Sequence, residues 1–149
     1  MRDYTFGWEM RTWARMQTKT ARSRVYLYYF SHVPPSPNAA WVRAQHGAEI
    51  PYAFNWPTGK YSTETSWTAV DRKLGGEVSS YWVNFAATGD PNGKGLPRWP
   101  AYQSKDDLVL EFGDTIAVAP VPHKAALDFL DGYFDRLRRS GAVRQSTAR

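Results

Sequence analysis

A histidine, a glycine and a glutamate lie close together in residues 41–54, which read WVRAQHGAEIPYAF. His46 has the side chain that most often serves as a general base in enzymes. Gly47 allows close approach of the backbone, and Glu49 adds a carboxylate one turn further on. Spacing by itself still favours the alternative, a structural histidine that caps a helix or satisfies a hydrogen bond in the core.

A histidine base requires a nucleophile within hydrogen-bond reach and an acid that holds its second nitrogen. None of the ten serines stands in a Gly-x-Ser-x-Gly context, and the chain contains no cysteine. We therefore expect that a nucleophile for His46 is not part of these residues. In α/β-hydrolases the triad follows the chain order serine, acid, histidine, so a C-terminal portion of such a fold would contain the histidine alone.

The elements that must position His46 can be predicted from periodicity and from turn residues. Residues 31–40 form a proline-rich loop, and the stretch after His46 is predicted to be one short helical turn that ends at Pro51. Longer helices are predicted at 3–20, 64–87 and 122–139, strands at 24–30, 108–112 and 115–119, and a disordered tail at 140–149.

The predicted strand RVYLYYF (24–30) is apolar along nearly its whole length, which is typical of a strand buried on both faces. Such a strand indicates a mostly parallel sheet covered by helices. Two or three strands are few for such a sheet, and this strand needs more neighbours than the chain supplies. We therefore predict an α/β fold in which residues 1–139 form the last central strands and flanking helices of a larger domain.

Composition limits the functional classes. The net charge is +5, but the excess lies at the two ends: residues 1–45 hold seven Lys/Arg against two Asp/Glu, and residues 46–121 hold six against nine. A single basic stripe, as a nucleic-acid surface would require, is not evident. No apolar run is long enough to span a bilayer, and the first 16 residues lack the apolar stretch of a secretory signal. The compartment is left open.

Six stretches, spread in order over residues 3–134, resemble the C-terminal part of type-B carboxylesterases, the family that includes the cholinesterases. They are DYTFGWEMRTWAR, VYLYYFSH, HGAEIPYAF, YWVNFAATGDPN, LPRWPAY and LDFLDGYF. The resemblance implies an α/β-hydrolase fold and a carboxylic-ester hydrolase that uses no metal or organic cofactor. It implies that His46 is the catalytic histidine and that Gly47 and Glu49 belong to a structural, polar network near the site.

The same resemblance implies that the triad serine, the triad acid and the glycine-rich oxyanion loop lie upstream, outside this sequence. The partners are then a small carboxylic ester and the missing N-terminal part of the same fold, with no nucleic acid and no membrane. In cholinesterases an aromatic residue two positions after the histidine walls the choline pocket. Ala48 stands there in this chain, so a general carboxylic ester is the better inference than a choline ester.

The other charged residues are predicted to be structural or solvated. The family resemblance implies that His32 is structural, and metal binding has little support because no second ligand lies at a useful spacing. Asp106 and Asp107 are interpreted as part of a turn. Charged side chains at helical spacing are predicted to form exposed faces: Arg11 with Arg15, Arg136 with Arg139, and Asp128 with Asp131 and Asp135.

Two other functions are weighed against the hydrolase. One is a split or decayed esterase that survives as a non-catalytic binding or association module, and it predicts a soluble chain that folds cooperatively by itself. The other is a basic, aromatic-rich nucleic-acid binder, which predicts salt-dependent retention on DNA or RNA.

Overall fold

The computed structural model describes residues 3–56 and 67–140, and of residues 3–5 the backbone only. A π-helical turn, Asp3–Trp8, leads directly into the first α-helix. In chain order the elements are α1 (Glu9–Thr20), β1 (Tyr28–Phe30), α2 (Ala39–Val42), α3 (Ile50–Ala53), α4 (Ala69–Thr88), β2 (Leu108–Phe112), β3 (Ile116–Pro120) and α5 (Lys124–Arg139). The predicted start of the long helix at 64–66 and nearly all of the predicted tail, 141–149, lie outside the described residues.

The three described strands form one mixed sheet in the order β1-β2-β3. β1 pairs with β2 in parallel, with Tyr28 opposite Leu110 and Phe30 opposite Phe112. β2 and β3 are joined by a tight hairpin and pair antiparallel. Because β2 is central, β1 and β3 are both edge strands, and the prediction of a mostly parallel sheet is only partly met.

Helices cover both faces of this sheet. Because the side chains of a strand alternate between its faces, β2 contributes residues to a core on each side. Leu110 and Phe112 point towards α4 and form the larger core with Leu74, Val78 and Tyr81. The opposite face forms a smaller core, in which Val109, Val121 and, from α5, Leu127 are buried. The residues that pack against it are Trp8, Leu27 and Tyr29. The result is a layered α/β arrangement with helix, sheet and helix.

The boundaries of α4 follow from capping. Thr68 is the N-cap: its hydroxyl accepts from the Asp71 backbone N–H, while the Asp71 side chain accepts from the Thr68 backbone N–H, a capping box. Gly89 ends the helix with φ of 76°, in the left-handed region that glycine enters at little cost, and its N–H donates to the Phe85 carbonyl. The helix ends one residue beyond its predicted end at 87, and the adjacent glycines Gly75 and Gly76 do not interrupt it.

Three local predictions are wrong. Pro51 does not end the turn after His46 but lies in the first turn of α3, where a missing N–H is tolerated. The proline-rich loop contains a short helix, α2, in its last residues and just beyond. The predicted strand at 24–30 is not buried on both faces. Tyr28 is 36% exposed and the rest of β1 is half-buried, since an edge strand has a neighbour on one side only.

Candidate active site

The turn that carries His46 connects α2 to α3 and is built by backbone hydrogen bonds. The Ala48 N–H donates to the Gln45 carbonyl at 3.0 Å, and the Ile50 N–H donates to the Gly47 carbonyl at 3.2 Å. Gly47 is buried with φ of 83°, a conformation that other residues rarely adopt. The glycine after the histidine is therefore required by the backbone, which sequence reasoning had explained only by close approach.

The His46 side chain is exposed, and its ring stacks on Phe6 with a centroid distance of 4.9 Å and an interplanar angle of 12°. Phe6 belongs to the π-helical turn at the start of the described chain. The imidazole is thus held flat against an aromatic ring and stays accessible, as a side chain that exchanges protons with a bound group must be.

An apolar cavity of about 800 Å³ runs beside β1. All eight residues from Ser23 to Phe30 line it, with α1 on one side and α4 on the other. His46 and Glu49 stand on its wall, and the rings of Tyr28, Trp82 and Trp99 lie close together at the strand, with Tyr28 to Trp82 centroids 5.3 Å apart. The cavity follows the open edge of the sheet.

Glu49 is half-buried and forms the N-cap of α3, where its carbonyl accepts from the N–H groups of Tyr52 and Ala53 at 3.0 and 2.9 Å. Burial, and after it the charge of Glu49, raises the pKa of Tyr28 to about 12. Tyr28 therefore stays a neutral hydroxyl at the cavity wall. Of the three predicted site residues, His46 and Glu49 reach this cavity, while Gly47 lines a smaller one of about 170 Å³ together with Ala48.

A buried polar cluster that the sequence reasoning missed centres on Asp71, which is 1% exposed. Its Oδ1 accepts from the Tyr52 hydroxyl at 2.6 Å and lies 2.8 Å from His32 Nε2. Its Oδ2 accepts from the Thr68 N–H at 2.8 Å and from the Thr68 hydroxyl. His32 Nδ1 lies 2.7 Å from an Asp114 oxygen. The Thr-x-x-Asp spacing at 68–71 was a readable signal for the cap but not for the two distant partners.

These hydrogen bonds decide the charge of Asp71. Burial by itself raises the pKa of a carboxyl, but the hydrogen bonds from Thr68, Tyr52 and His32 outweigh it and lower the pKa of Asp71 to about 2. Asp71 is thus a carboxylate at neutral pH, and the interpretation of His32 as structural agrees with its burial and its partners.

The prediction that Arg11 and Arg15 form a solvated face is wrong. Arg11 is fully buried and contacts Asp107, Asp128 and Asp131, the first through both Nε and Nη2. Burial lowers the pKa of Arg11, but its hydrogen bonds to Asp107 and Asp128 raise it above the ordinary value. Helical spacing identified one face of α1 correctly, but that face is covered by α5.

The prediction for the aspartates that face Arg11 is also corrected. Asp128 and Asp131 do not form a free exposed face, since they bind Arg11 and Arg15, and Asp131 also accepts from the Trp8 indole at 2.8 Å. Asp107 lies in a turn as predicted, with φ of 54°, yet it is 4% exposed and accepts from the Tyr102 hydroxyl at 2.6 Å. This cluster ties the N-terminal helix to the C-terminal one.

Within residues 3–56 and 67–140, no group of three or more His, Cys, Asp or Glu side chains is arranged to hold a metal ion. Among the helices of those same residues, none combines the length and the apolar character that crossing a membrane requires.

Sequence comparison with known proteins places this chain in a family. The sequence model of the carboxylesterase family matches residues 1–130. The chain is 38% identical to carboxylesterase 5A of Canis lupus familiaris over 104 residues, which are 66% of this chain and 18% of that protein. It is 35% identical over 114 residues to the medium-chain fatty acyl-CoA hydrolase precursor of Anas platyrhynchos, covering 74% of this chain and 20% of that protein.

A third relative is the cocaine esterase of Homo sapiens, 34% identical over 93 residues, with 60% of this chain and 16% of that protein covered. The chain belongs to the carboxylesterase family. It spans about a fifth of the length of the curated relatives that it matches.

Proposed function

We propose that this chain is the C-terminal portion of a serine carboxylic-ester hydrolase with an α/β-hydrolase fold, and that His46 is the catalytic general base and acid. The observation that carries the proposal is the placement of His46. It is accessible, held by a glycine-dependent turn, and stands on the wall of an apolar cavity in a chain of the carboxylesterase family.

The open edge of β1 supports the view that the rest of the fold docks here. The cavity follows Ser23–Phe30 along the strand, and α1 and α4 flank it as two walls. A slot of this shape, between helices of opposite sheet faces, suits a further strand that extends the sheet. The partner we propose is the upstream part of the same protein. The matched stretch is only about a fifth of each relative's length, so a relative of full length includes such a part.

The proposed chemistry is hydrolysis in two steps. The upstream serine attacks the ester carbonyl while His46 takes its proton, and His46 then returns the proton to the leaving alkoxide. Water, deprotonated by His46, next attacks the acyl carbon, and His46 returns that proton to the serine oxygen as the bond to serine breaks and the acid is released. By itself, this chain supplies the base without nucleophile, triad acid or oxyanion donors, so we expect it to be inactive when alone. The reaction as proposed involves no metal and no organic cofactor.

The proposed substrate class is a small carboxylic ester. Ala48 is 7% exposed and lines the smaller cavity beside Pro51 and Tyr52, so it adds no aromatic wall to the large cavity. The names of relatives include a cocaine esterase and a fatty acyl-CoA hydrolase, which favours hydrolysis of an acyl ester or thioester as the shared reaction.

The test joins this chain to its upstream residues and measures turnover of p-nitrophenyl esters. We expect His46→Ala to lower kcat by at least about 1,000-fold, because a triad histidine both activates the nucleophile and protonates the leaving group. His123→Asn is the matched control: His123 is exposed, lies at the start of α5 and has φ of 54°, which asparagine tolerates. Retained activity in His46→Ala would reject the assignment.

The open cavity also fits the second candidate, a non-catalytic association module. The coding DNA directly upstream distinguishes the two. An in-frame Gly-x-Ser-x-Gly followed by an acidic residue supports the hydrolase. A stop codon directly before Met1, with no such motif in a neighbouring frame, supports the association module.

A further inference from the structure

The segment that carries His46 is held at both ends by one buried carboxylate. His32 follows β1 and Tyr52 lies in α3, twenty positions later in the chain, and both meet Oδ1 of Asp71 on α4, at 2.8 and 2.6 Å. His46 lies between these two anchors. Asp71 itself is fixed by the capping box at the start of the twenty-residue helix α4.

Packing gives the two anchors a single arrangement. The Tyr52 ring is fully buried, stacks on Trp67 with centroids 4.8 Å apart, and contacts the rings of Phe30 and His32 at 5.2 and 5.3 Å. His32 is 6% exposed, and its second ring nitrogen meets Asp114 in the β2–β3 hairpin. Strand, hairpin and two helices thus converge on the cluster of His32, Tyr52 and Asp71.

We propose that His32, Tyr52 and Asp71 form a positioning cluster that closes the segment 32–52 and thereby sets the place of His46. The proposal rests on the proposed function of His46. Because the His46 side chain is exposed and stacks on a ring of another segment, the place of its nitrogens depends on where the backbone of 32–52 is held. A displacement of about 1 Å in a catalytic group can lower a rate by roughly 100-fold.

The sharpest variant is Tyr52→Phe, which removes the hydroxyl that donates to Asp71 and keeps the ring in its packing. Tyr102→Phe is its matched control, since Tyr102 is also buried and donates to a buried aspartate, Asp107, at the same distance of 2.6 Å. Tyr102 contacts the cluster between α1 and α5 and does not line the cavity of His46. The two variants lose the same kind of hydrogen bond in different places.

In the complete enzyme, with p-nitrophenyl acetate, we expect Tyr52→Phe to lower kcat by about 10- to 100-fold at nearly unchanged KM. Tyr102→Phe should lower the thermal midpoint to a similar extent and leave kcat within about two-fold. Amide hydrogen exchange supplies a readout that is independent of catalysis. Amides of residues 39–53 should exchange faster in Tyr52→Phe than in the wild type or in Tyr102→Phe.

Equal kcat values in the two tyrosine variants, or unchanged exchange over residues 39–53, would overturn the positioning cluster while His46 keeps its role. If His46→Ala is fully active, the proposed function fails instead, and the exchange experiment still decides whether Tyr52 and Asp71 hold the segment. Should Tyr52→Phe not fold, His32→Asn, which removes the ring nitrogen that lies 2.8 Å from Asp71, takes its place with the same readouts.

Discussion

Two aspartates, Asp71 and Asp107, set the polar interior of this protein. Each is nearly inaccessible to solvent, and each accepts a hydrogen bond from a tyrosine hydroxyl at 2.6 Å together with one or more further hydrogen bonds. Burial favours the protonated form of a carboxyl, but the hydrogen bonds prevail and lower the pKa of both. Such groups hold distant elements in one arrangement, and they do so only while every partner is present.

Removal of Arg11 tests this at the residue scale. Arg11→Met would leave the buried Asp107 without its closest cation, so we expect a loss of roughly 3 to 5 kcal/mol in the free energy of unfolding. Urea unfolding followed by circular dichroism measures it. Arg24→Met is the control, because Arg24 forms a solvent-exposed pair with Asp90, and its midpoint should not change measurably. Equal midpoints in both variants would contradict a structural role for the buried pair.

At the scale of an element, α4 joins the core to the candidate site. Its first turn holds Asp71, its middle packs Leu74, Val78 and Tyr81 into the larger core, and Trp82 reaches the cavity. Two adjacent glycines lie within it and differ in their surroundings. A Cβ on Gly75 would come within 2.5 Å of the Trp67 ring, whereas a Cβ on Gly76 would meet nothing within 4 Å.

Alanine at these two positions should therefore have opposite effects. Gly76→Ala should stabilise the protein by roughly 0.5 to 1 kcal/mol, because alanine restricts the unfolded chain and favours helix. Gly75→Ala should destabilise it despite the same propensity gain, since Trp67 is 5% exposed and stacked on Tyr52, so it has little room to move. Thermal unfolding of both variants checks the prediction, and a stabilised Gly75→Ala would contradict it.

At the scale of the whole molecule, the cavity beside β1 is the feature that residues 3–56 and 67–140 leave uncovered. Its wall combines an unpaired strand edge with exposed apolar side chains, such as Phe6 at 46%, Trp13 at 58% and Phe85 at 48%. Monomeric proteins seldom expose continuous apolar surface of this kind without a partner for it. The same surface that we propose to bind the upstream part should promote self-association when that part is missing.

We therefore expect the isolated chain to bind the dye ANS and to self-associate at micromolar concentration in sedimentation experiments. Tyr28→Lys, which places a charge on the open edge of β1, should reduce both. Val118→Lys is the control, since Val118 is also partly exposed on an edge strand, β3, but does not line the cavity. A monomeric chain without ANS binding would show that the cavity is not an adhesive surface.

Local patterns in the sequence determined the type and approximate place of most elements. The long helices α4 and α5 and the two later strands β2 and β3 were all predictable, because periodicity and turn chemistry act over a few residues. The sequence also singled out His46 as a candidate base, through the resemblance of the stretches around it to carboxylesterases, since spacing alone favoured a structural histidine. Its role remains a proposal.

Only the tertiary structure decided which charged residues are buried and with whom. Arg11 and Asp107 are 96 positions apart, and His32 and Asp71 are 39 apart. Helical spacing records that Arg11 and Arg15 share a face, but whether that face meets water or another helix depends on long-range packing. Likewise, the apolar run 24–30 predicted a strand, but its position at the edge of the sheet is set by which neighbours the chain supplies.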